Sequence, residues 1–413
     1  MTSPDTAAAE AALRYNVRTL APFDAAGLLR ALKSVGWSAP LPGPVSATAP
    51  GGLAVEGLDP DQTLVLQRCA RGEGGDAVTA VSGGRAVLVG SPATLAAVAT
   101  RLAQAGRPAE ELGLALSAAL AAGGPRPPLR CGPRALEFGD RTLVMGVVNV
   151  TPDSFSGDGV GGDAAAALAL AKRMVADGAD LIDVGGESTR PNSQPVDAVT
   201  ELGRVIPVVE ALTARLDVPV SVDTRKAEVA AAAIAAGATV VNDIWGLRGD
   251  PGMAPLLAAN PGVAVVAMHN RRGHGYADLG ADVTRDLRES LLIAARHGID
   301  AERIVIDPGF GFGKTPGQNL ELMQRLTELR GIGRALLIGP SRKSTIGLLL
   351  DGAPPGERIE GTLSLCVLAT ASGADMVRVH DVAAIRRGLR VSDAVLRGIP
   401  DAVREAAAPG PTG

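Results

Sequence analysis

TLVMGVVNV, residues 142–150, opens the part of the chain whose rhythm decides the fold. The run is short, apolar and rich in β-branched residues, with no polar alternation. That is the pattern of a strand covered on both faces. A helical stretch follows at 163–177, and then a second run, DLIDVGG, at 180–186. Similar runs recur at 218–223, 238–243, 263–268, 303–307, 335–339 and 375–380. Helical stretches separate them, at 197–215, 226–236, 284–297, 318–329 and 358–372, with a last one at 382–396. Gly178, Gly237, Gly298 and Gly373 stand where helices end. Eight strands alternating with helices predict an α/β chain with a (β/α)8 TIM barrel. An open doubly wound sheet is the alternative, but it would gather its polar residues at one switch point. Here polar residues follow all eight strands.

Outward from the barrel, Gly and Pro cluster at 121–134, which reads as a linker. Residues 135–140 read as a short hairpin arm leading into the first barrel strand. The barrel domain then spans 135–400, and 401–413 reads as a flexible tail. Residues 1–120 read as a small α/β domain preceding the barrel. Its expected strands lie near 14–20, 53–56, 63–67, 77–81 and 85–90, and its helices near 24–35 and 92–105. Ser91 and Pro92 suit the cap and first position of a helix. This front part has no His, no cysteine pair and no glycine-rich phosphate loop, so no chemistry can be read from it.

Composition narrows the function. The 413 residues are 46% hydrophobic and 20% charged, ordinary for a globular enzyme. A net charge of −4 argues against nucleic acid as a partner. Cys69, Cys131 and Cys366 are too far apart for a CxxC pair and odd in number, so free thiols are expected. Residues 1–17 lack a basic start and an apolar core, so no signal peptide is read there. The apolar runs are broken by charge or glycine, so no membrane span is expected and the location expected is cytoplasmic.

In such a barrel the chemistry stands at the C-terminal ends of the strands. Two groupings emerge there. Asp223, Asn242 and Asp307, with Lys343, match the edge of a fused heterocycle carrying N–H and C=O groups. Asn149, Thr189, Arg190, Arg378 and His380 suit an anion such as pyrophosphate, with Mg2+ near Asn149. There is no HExxH, no GxSxG and no Walker A sequence. Blander readings stand beside these. Asp307, ahead of a proline, suits a turn. Asp153 and Glu187 suit solvated loop charges. Gly309, Gly311 and Gly313 suit a tight loop. His297 suits a helix C-terminus, His274 a loop and Cys366 the core.

The ordered set MGVVNVTPDSFS, IDVGGESTRP, SVDT, VNDI, DPGFGFGK, GPSRKS and RVHDV closely resembles the dihydropteroate synthase family over residues 140–400. The resemblance implies condensation of 6-hydroxymethyl-7,8-dihydropterin pyrophosphate with p-aminobenzoate on a TIM barrel, with Mg2+ and with sulfonamides as inhibitors. It implies that Asp223, Asn242, Met268, Asp307, Gly339 and Lys343 bind the pterin. Asn149, Thr189, Arg190, Arg378 and His380 would hold the pyrophosphate, with the metal at Asn149. Thr189, Pro191, Phe312, Ser341 and Lys343 would line the p-aminobenzoate pocket, closed by loops at 151–155 and 189–191. The two small molecules are the expected partners, in a homodimer. The chain departs from the family in SFSGDG, where SFSDGG is common, in Pro191-Asn-Ser, where Pro-Gly is frequent, and in having the front domain. A methyltetrahydrofolate-dependent methyltransferase barrel would share the Asp and Asn ligands without needing SRKS or RVHD. A catalytically silent relative acting as a scaffold is the other alternative.

Overall fold

The computed structural model describes residues 4–20, 31–33, 35–36, 51–71, 78–151, 163–187 and 196–404. The alternation read from sequence closes on itself. Strands β7 (Leu143–Asn149), β8 (Leu181–Gly185), β9 (Val220–Asp223), β10 (Val240–Asp243), β11 (Ala264–Met268), β12 (Ile304–Asp307), β13 (Ala335–Ile338) and β14 (Met376–Val379) form one closed barrel. Every neighbouring pair is parallel, and β14 returns to β7 through Arg378 opposite Met145. Closure removes the open-sheet alternative.

The barrel helices start where the sequence offers a cap. Asp163 accepts from the backbone of Ala165 and Ala166, and Asp197 from that of Thr200. Thr315 and Gln318 form a reciprocal capping box ahead of Pro316–Gln324. The helix expected at 284–297 begins earlier, as Leu279–Arg296 with Asp278 as its cap. Gly280 hides that start, because glycine disfavours helix interiors. It is there for close approach: a Cβ at this position would meet Arg325 Nη2 at 2.5 Å.

The front part is a four-stranded antiparallel sheet, in the order β1 (Arg18–Leu20), β2 (Gly51–Val55), β4 (Arg85–Gly90), β3 (Val78–Ser82). Helices Pro60–Arg71, Pro92–Gln104 and Glu110–Ala121 accompany it, and Pro4–Tyr15 precedes it. The strand expected at 63–67 is part of a helix instead. Gln62, Leu66 and Ala70 are buried at intervals of four residues while Leu64 is exposed, and Asp59 and Gln62 cap one another's backbone. Residues 14 and 15 of the strand expected at 14–20 end the first helix. The helix expected at 24–35 lies largely outside the described residues. The hairpin begins sooner than the sequence suggests, with β5 (Leu129–Cys131), inside the stretch read as a linker, pairing β6 (Arg134–Leu136) at its end. Leu129, Cys131 and Leu136 pack on Met145, Val240, Val266 and Leu337, plugging the floor of the barrel. No helix among the described residues is long and apolar enough to cross a membrane.

The front part docks on the outside of the barrel. Arg288, buried in the helix Leu279–Arg296, donates to the carbonyls of Ala12, Val17 and Gly331. Burial pushes its guanidinium down to about 9. Thr19 donates to Thr327 O and Arg18 to Glu328 across the same seam.

Candidate active site at the strand ends

Register brings Asn149, Asp223 and Asn242 level with one another and sets Met268 beside Asp307 two residues further along. Asn149 lies opposite Gly185, Gly185 opposite Asp223, Asp223 opposite Asn242, and Met268 opposite Asp307. Because side chains alternate along a strand, residues level with one another can present to one mouth. Gly185 adds no side chain between Asn149 and Asp223; a Cβ there would make ordinary contact, 3.6 Å from Asp223 Cβ and 3.8 Å from Asn149 Oδ1.

Asp183 is the anchor that sequence reasoning left without a role. It is fully buried, and its Oδ2 accepts from Arg378 Nε at 2.6 Å and from Asn242 Nδ2 at 3.0 Å. Arg378 also donates from Nη2 to Asp223 Oδ2 at 2.8 Å. The residue expected at the pyrophosphate thus contacts Asp223, a carboxylate expected at the heterocycle, and the buried Asp183. Its signal was present: a carboxylate inside the apolar run LIDVG needs a partner. Burial opposes the charge on Arg378, but Asp183 and Asp223 more than restore it. Burial pushes the carboxyl of Asp223 up to about 7 despite Arg378. Asp307 is pushed up to about 6 by burial, against a 2.7 Å hydrogen bond from the Gly309 N–H and the nearby Lys343 and Lys314.

A second wall holds His380. Its backbone N–H donates to Ser341 Oγ at 3.1 Å, and its Nδ1 lies 2.9 Å from the same oxygen. Its Nε2 lies 3.3 Å from Asn149 Nδ2. A proton on Nδ1 satisfies all three contacts: Ser341 accepts twice, and Nε2 accepts from the Asn149 amide. Ser341, expected in the p-aminobenzoate pocket, is therefore tied to the histidine expected at the pyrophosphate.

The third part is the loop after β12. Lys343 Nζ lies 4.0 Å from the centre of the Phe312 ring, a cation–π contact. Gly309 and Gly311 have φ of +69° and +82°, and a Cβ would come within 2.0 Å of His269 O and 2.9 Å of Lys343 Cδ. Both glycines are required by conformation and by space. Beneath the loop, Lys314 Nζ contacts His269 Nδ1 at 2.9 Å and donates to the carbonyls of Gly309 and Phe312. Burial pushes Lys314 down to about 7 and His269 down to about 4. Sequence spacing gave no hint of this pair. Gly339 follows β13 with its Cα side toward Arg378 Cβ, 3.7 Å from where a Cβ would be. Met268 is buried beside Asp307.

Thr189, Arg190, Pro191 and Asp153 lie outside the described residues, as do the loop positions 152–155. Glu187 is not a solvated charge: Lys226 Nζ donates to it at 2.5 Å and also pairs with the buried Glu201. His297 ends its helix with Nδ1 2.9 Å from Ile293 O, and Cys366 is in the core.

Residues 145–380 match a family described as pterin binding enzyme. A dihydropteroate synthase of Bacillus subtilis is 49% identical over 264 residues, 64% of this chain and 92% of that protein. A dihydropteroate synthase of Xanthomonas albilineans, solved with 4-aminobenzoic acid, is 45% identical with a TM-score of 0.62. That match covers 67% of this chain and 100% of the solved one. A dihydropteroate synthase of Burkholderia cenocepacia, solved with 7,8-dihydropteroate, is 42% identical with a TM-score of 0.60, covering 68% of this chain and 99% of the other.

Proposed function

This chain belongs to the dihydropteroate synthase family of pterin-binding enzymes, and from that premise we propose how its strand ends divide the work. The reaction joins 6-hydroxymethyl-7,8-dihydropterin pyrophosphate to p-aminobenzoate, giving 7,8-dihydropteroate and pyrophosphate in folate biosynthesis. Asp223, Asn242, Asp307, Gly339 and Lys343 take the edge of the pterin, and Met268 takes its face. Asn149, Thr189, Arg190, Arg378 and His380 take the pyrophosphate. Phe312, Lys343, Ser341, Thr189 and Pro191 line the p-aminobenzoate pocket, which a sulfonamide would also occupy.

The observation that supports this most is the register that sets Asn149, Asp223 and Asn242 level at the strand ends, with Asp307 two residues further along β12 and two carboxylates kept buried at about 7 and about 6. A buried carboxylate without full pairing costs folding free energy, and enzymes keep such groups for a ligand. The pterin N–H groups replace the missing partners. Arg378, now shared between Asp183 and Asp223, stays on Asp183 and turns its remaining donors to the incoming pyrophosphate. As the C–O bond breaks, pyrophosphate takes the electron pair, and the ionised Asp307 favours positive charge on the methylene. The aniline nitrogen then forms the new C–N bond and gives its proton to the departing pyrophosphate. Loop closure keeps water from capturing the methylene instead.

Among the described residues no three His, Cys, Asp or Glu side chains converge as a metal site. The oxygen of the Asn149 amide, beside His380, is the hard donor that would suit a Mg2+ accompanying the pyrophosphate. Asn149 would hold that ion, which when bound neutralises charge on the leaving group. A homodimer in the cytoplasm belongs to the same reading. The exposed Leu348, Leu349, Leu368, Val391 and Val395 support self-association, and the buried thiols of Cys131 and Cys366 suit a reducing compartment.

Calorimetric titration with the pterin pyrophosphate in Mg2+ tests the pterin set. Asp223→Asn should weaken binding by about tenfold or more, the worth of a charged hydrogen bond. Unchanged affinity would remove Asp223 from the site.

A further inference from the structure

The front part touches the barrel where the loop after β11 meets the helix Leu279–Arg296. Three front-domain side chains grip the first turns of that helix. Asn16 Nδ2 donates to Ala281 O at 3.0 Å. Arg18 lies 3.7 Å from Asp278. Glu56 pairs with Arg285, and also accepts from Arg18 and Asn16.

From Arg285 the contacts run inward without a gap. Arg285 Nη1 donates to Asp282 Oδ1 at 3.1 Å. Asp282 Oδ2 accepts from Ala277 N at 2.9 Å and Arg271 Nη1 at 3.5 Å. Arg271 Nη2 donates to Asp286 at 2.9 Å, and Asp286 receives His269 Nε2 at 3.1 Å. His269 Nδ1 meets Lys314, whose ammonium binds the carbonyls of Gly309 and Phe312. Two further ties join the same loops: Tyr276 Oη donates to Gly313 O at 2.8 Å, and Gln318 Nε2 to His274 O at 3.0 Å.

Burial gives these contacts weight. The side chains of Glu56, Asp282 and Asp286 are no more than 13% exposed, and that of His269 is fully buried. Arg271 and Arg285 are 27% and 46% exposed, so the carboxylates and His269 are the screened members, and removing a charge from one of them disturbs its neighbours more than breaking an exposed pair would. What stands at the inner end is the loop carrying Phe312. Asp307 is fixed by β12 itself, whereas the Phe312 loop is held by the carbonyl ties of Lys314 together with the Gly311 N–H on Asn319 Oδ1 and the Phe312 N–H on Gly309 O.

We propose that Glu56 of the front domain is a positioning residue for the p-aminobenzoate pocket, acting through Arg285, Asp282, Arg271, Asp286, His269 and Lys314 on the loop that carries Phe312. This rests on the assignment of Phe312 to that pocket. The front domain is then a working part of the synthase, holding one wall of the acceptor site from outside the barrel.

Steady-state kinetics on the full chain, with both substrates varied, tests it through a double-mutant cycle. Glu56→Gln should raise KM for p-aminobenzoate about threefold to tenfold, with KM for the pterin pyrophosphate changed by less than about twofold. Lys314→Met should raise KM for p-aminobenzoate at least as much. Because both act on one loop, adding Glu56→Gln to Lys314→Met should have little further effect. Glu10→Gln breaks another interdomain pair, with Arg296 at the far end of the helix, and should leave both KM values unchanged. If Glu56→Gln does not fold, Arg285→Gln takes its place in the cycle.

The proposal is overturned by a wild-type KM for p-aminobenzoate in Glu56→Gln, by effects that simply multiply in the double variant, or by an equal rise in Glu10→Gln. Phe312→Ala separates the two levels: if it leaves KM for p-aminobenzoate untouched, the pocket assignment fails.

Discussion

Asp307→Asn should make the protein more stable at pH 8 and nearly inactive. Asp307 is 5% exposed and receives one hydrogen bond, from Gly309 N–H. An asparagine oxygen can accept that same bond. Burial pushes the Asp307 carboxyl from 3.8 to about 6. At about 1.4 kcal/mol per pH unit, holding the ionised form at pH 8 costs the fold roughly 3 kcal/mol. The sign follows from proton binding. Between 3.8 and about 6 the folded state binds more protons than the unfolded one, so the wild type loses stability as pH rises through that window. Above it the loss is complete and constant. The variant does not titrate there. Its advantage should be roughly 3 kcal/mol at pH 8, about half that at pH 5, and close to nothing near pH 4. For a domain of this size that is a melting temperature higher by about 6 °C at pH 8. Thermal melts at pH 5 and pH 8 read the stability side. Initial rates of p-aminobenzoate-dependent pyrophosphate release read the other, and kcat/KM should fall about 100-fold or more. A variant less stable than wild type at pH 8, or equally displaced at both pH values, would refute the idea that the charge is held for the substrate.

Lys343→Ala loses the cation over Phe312 and the donor proposed for the pterin, so kcat/KM for both substrates should fall about tenfold or more; normal kinetics would contradict the double assignment. Asp183→Asn leaves Arg378 with one carboxylate in a buried site, and should lower stability by about 3 kcal/mol in urea unfolding and weaken pterin binding with it. The chain without residues 1–125 should keep some synthase activity but melt lower, since Arg288 loses the carbonyls of Ala12 and Val17; melting and initial rates of the truncated chain check this.

How far the sequence carried depended on whether the signal was periodic. The eight strand ends were legible because each apolar run stops at a polar residue that the apolar interior would not tolerate. Asp183 was legible in principle on the same ground, but its role depends on Arg378, 195 residues away. Lys314 and His269 meet across 45 residues through loop geometry that no spacing encodes. In the front part, the apolar Leu64-Val65-Leu66 resembled a strand because three residues do not separate a period of 2 from one of 3.6. The cap at Asp59 was the better guide there. The helix start at Asp278 was concealed by a glycine that serves packing against Arg325. Interdomain pairs such as Glu56–Arg285 depend on docking and leave no local pattern.

The most direct measurement is product formation. The full chain is incubated with 6-hydroxymethyl-7,8-dihydropterin pyrophosphate, Mg2+ and p-aminobenzoate, and 7,8-dihydropteroate and pyrophosphate are quantified together. Equal amounts of the two, both dependent on p-aminobenzoate, are the predicted result. No dihydropteroate, or pyrophosphate release indifferent to p-aminobenzoate, would contradict the account.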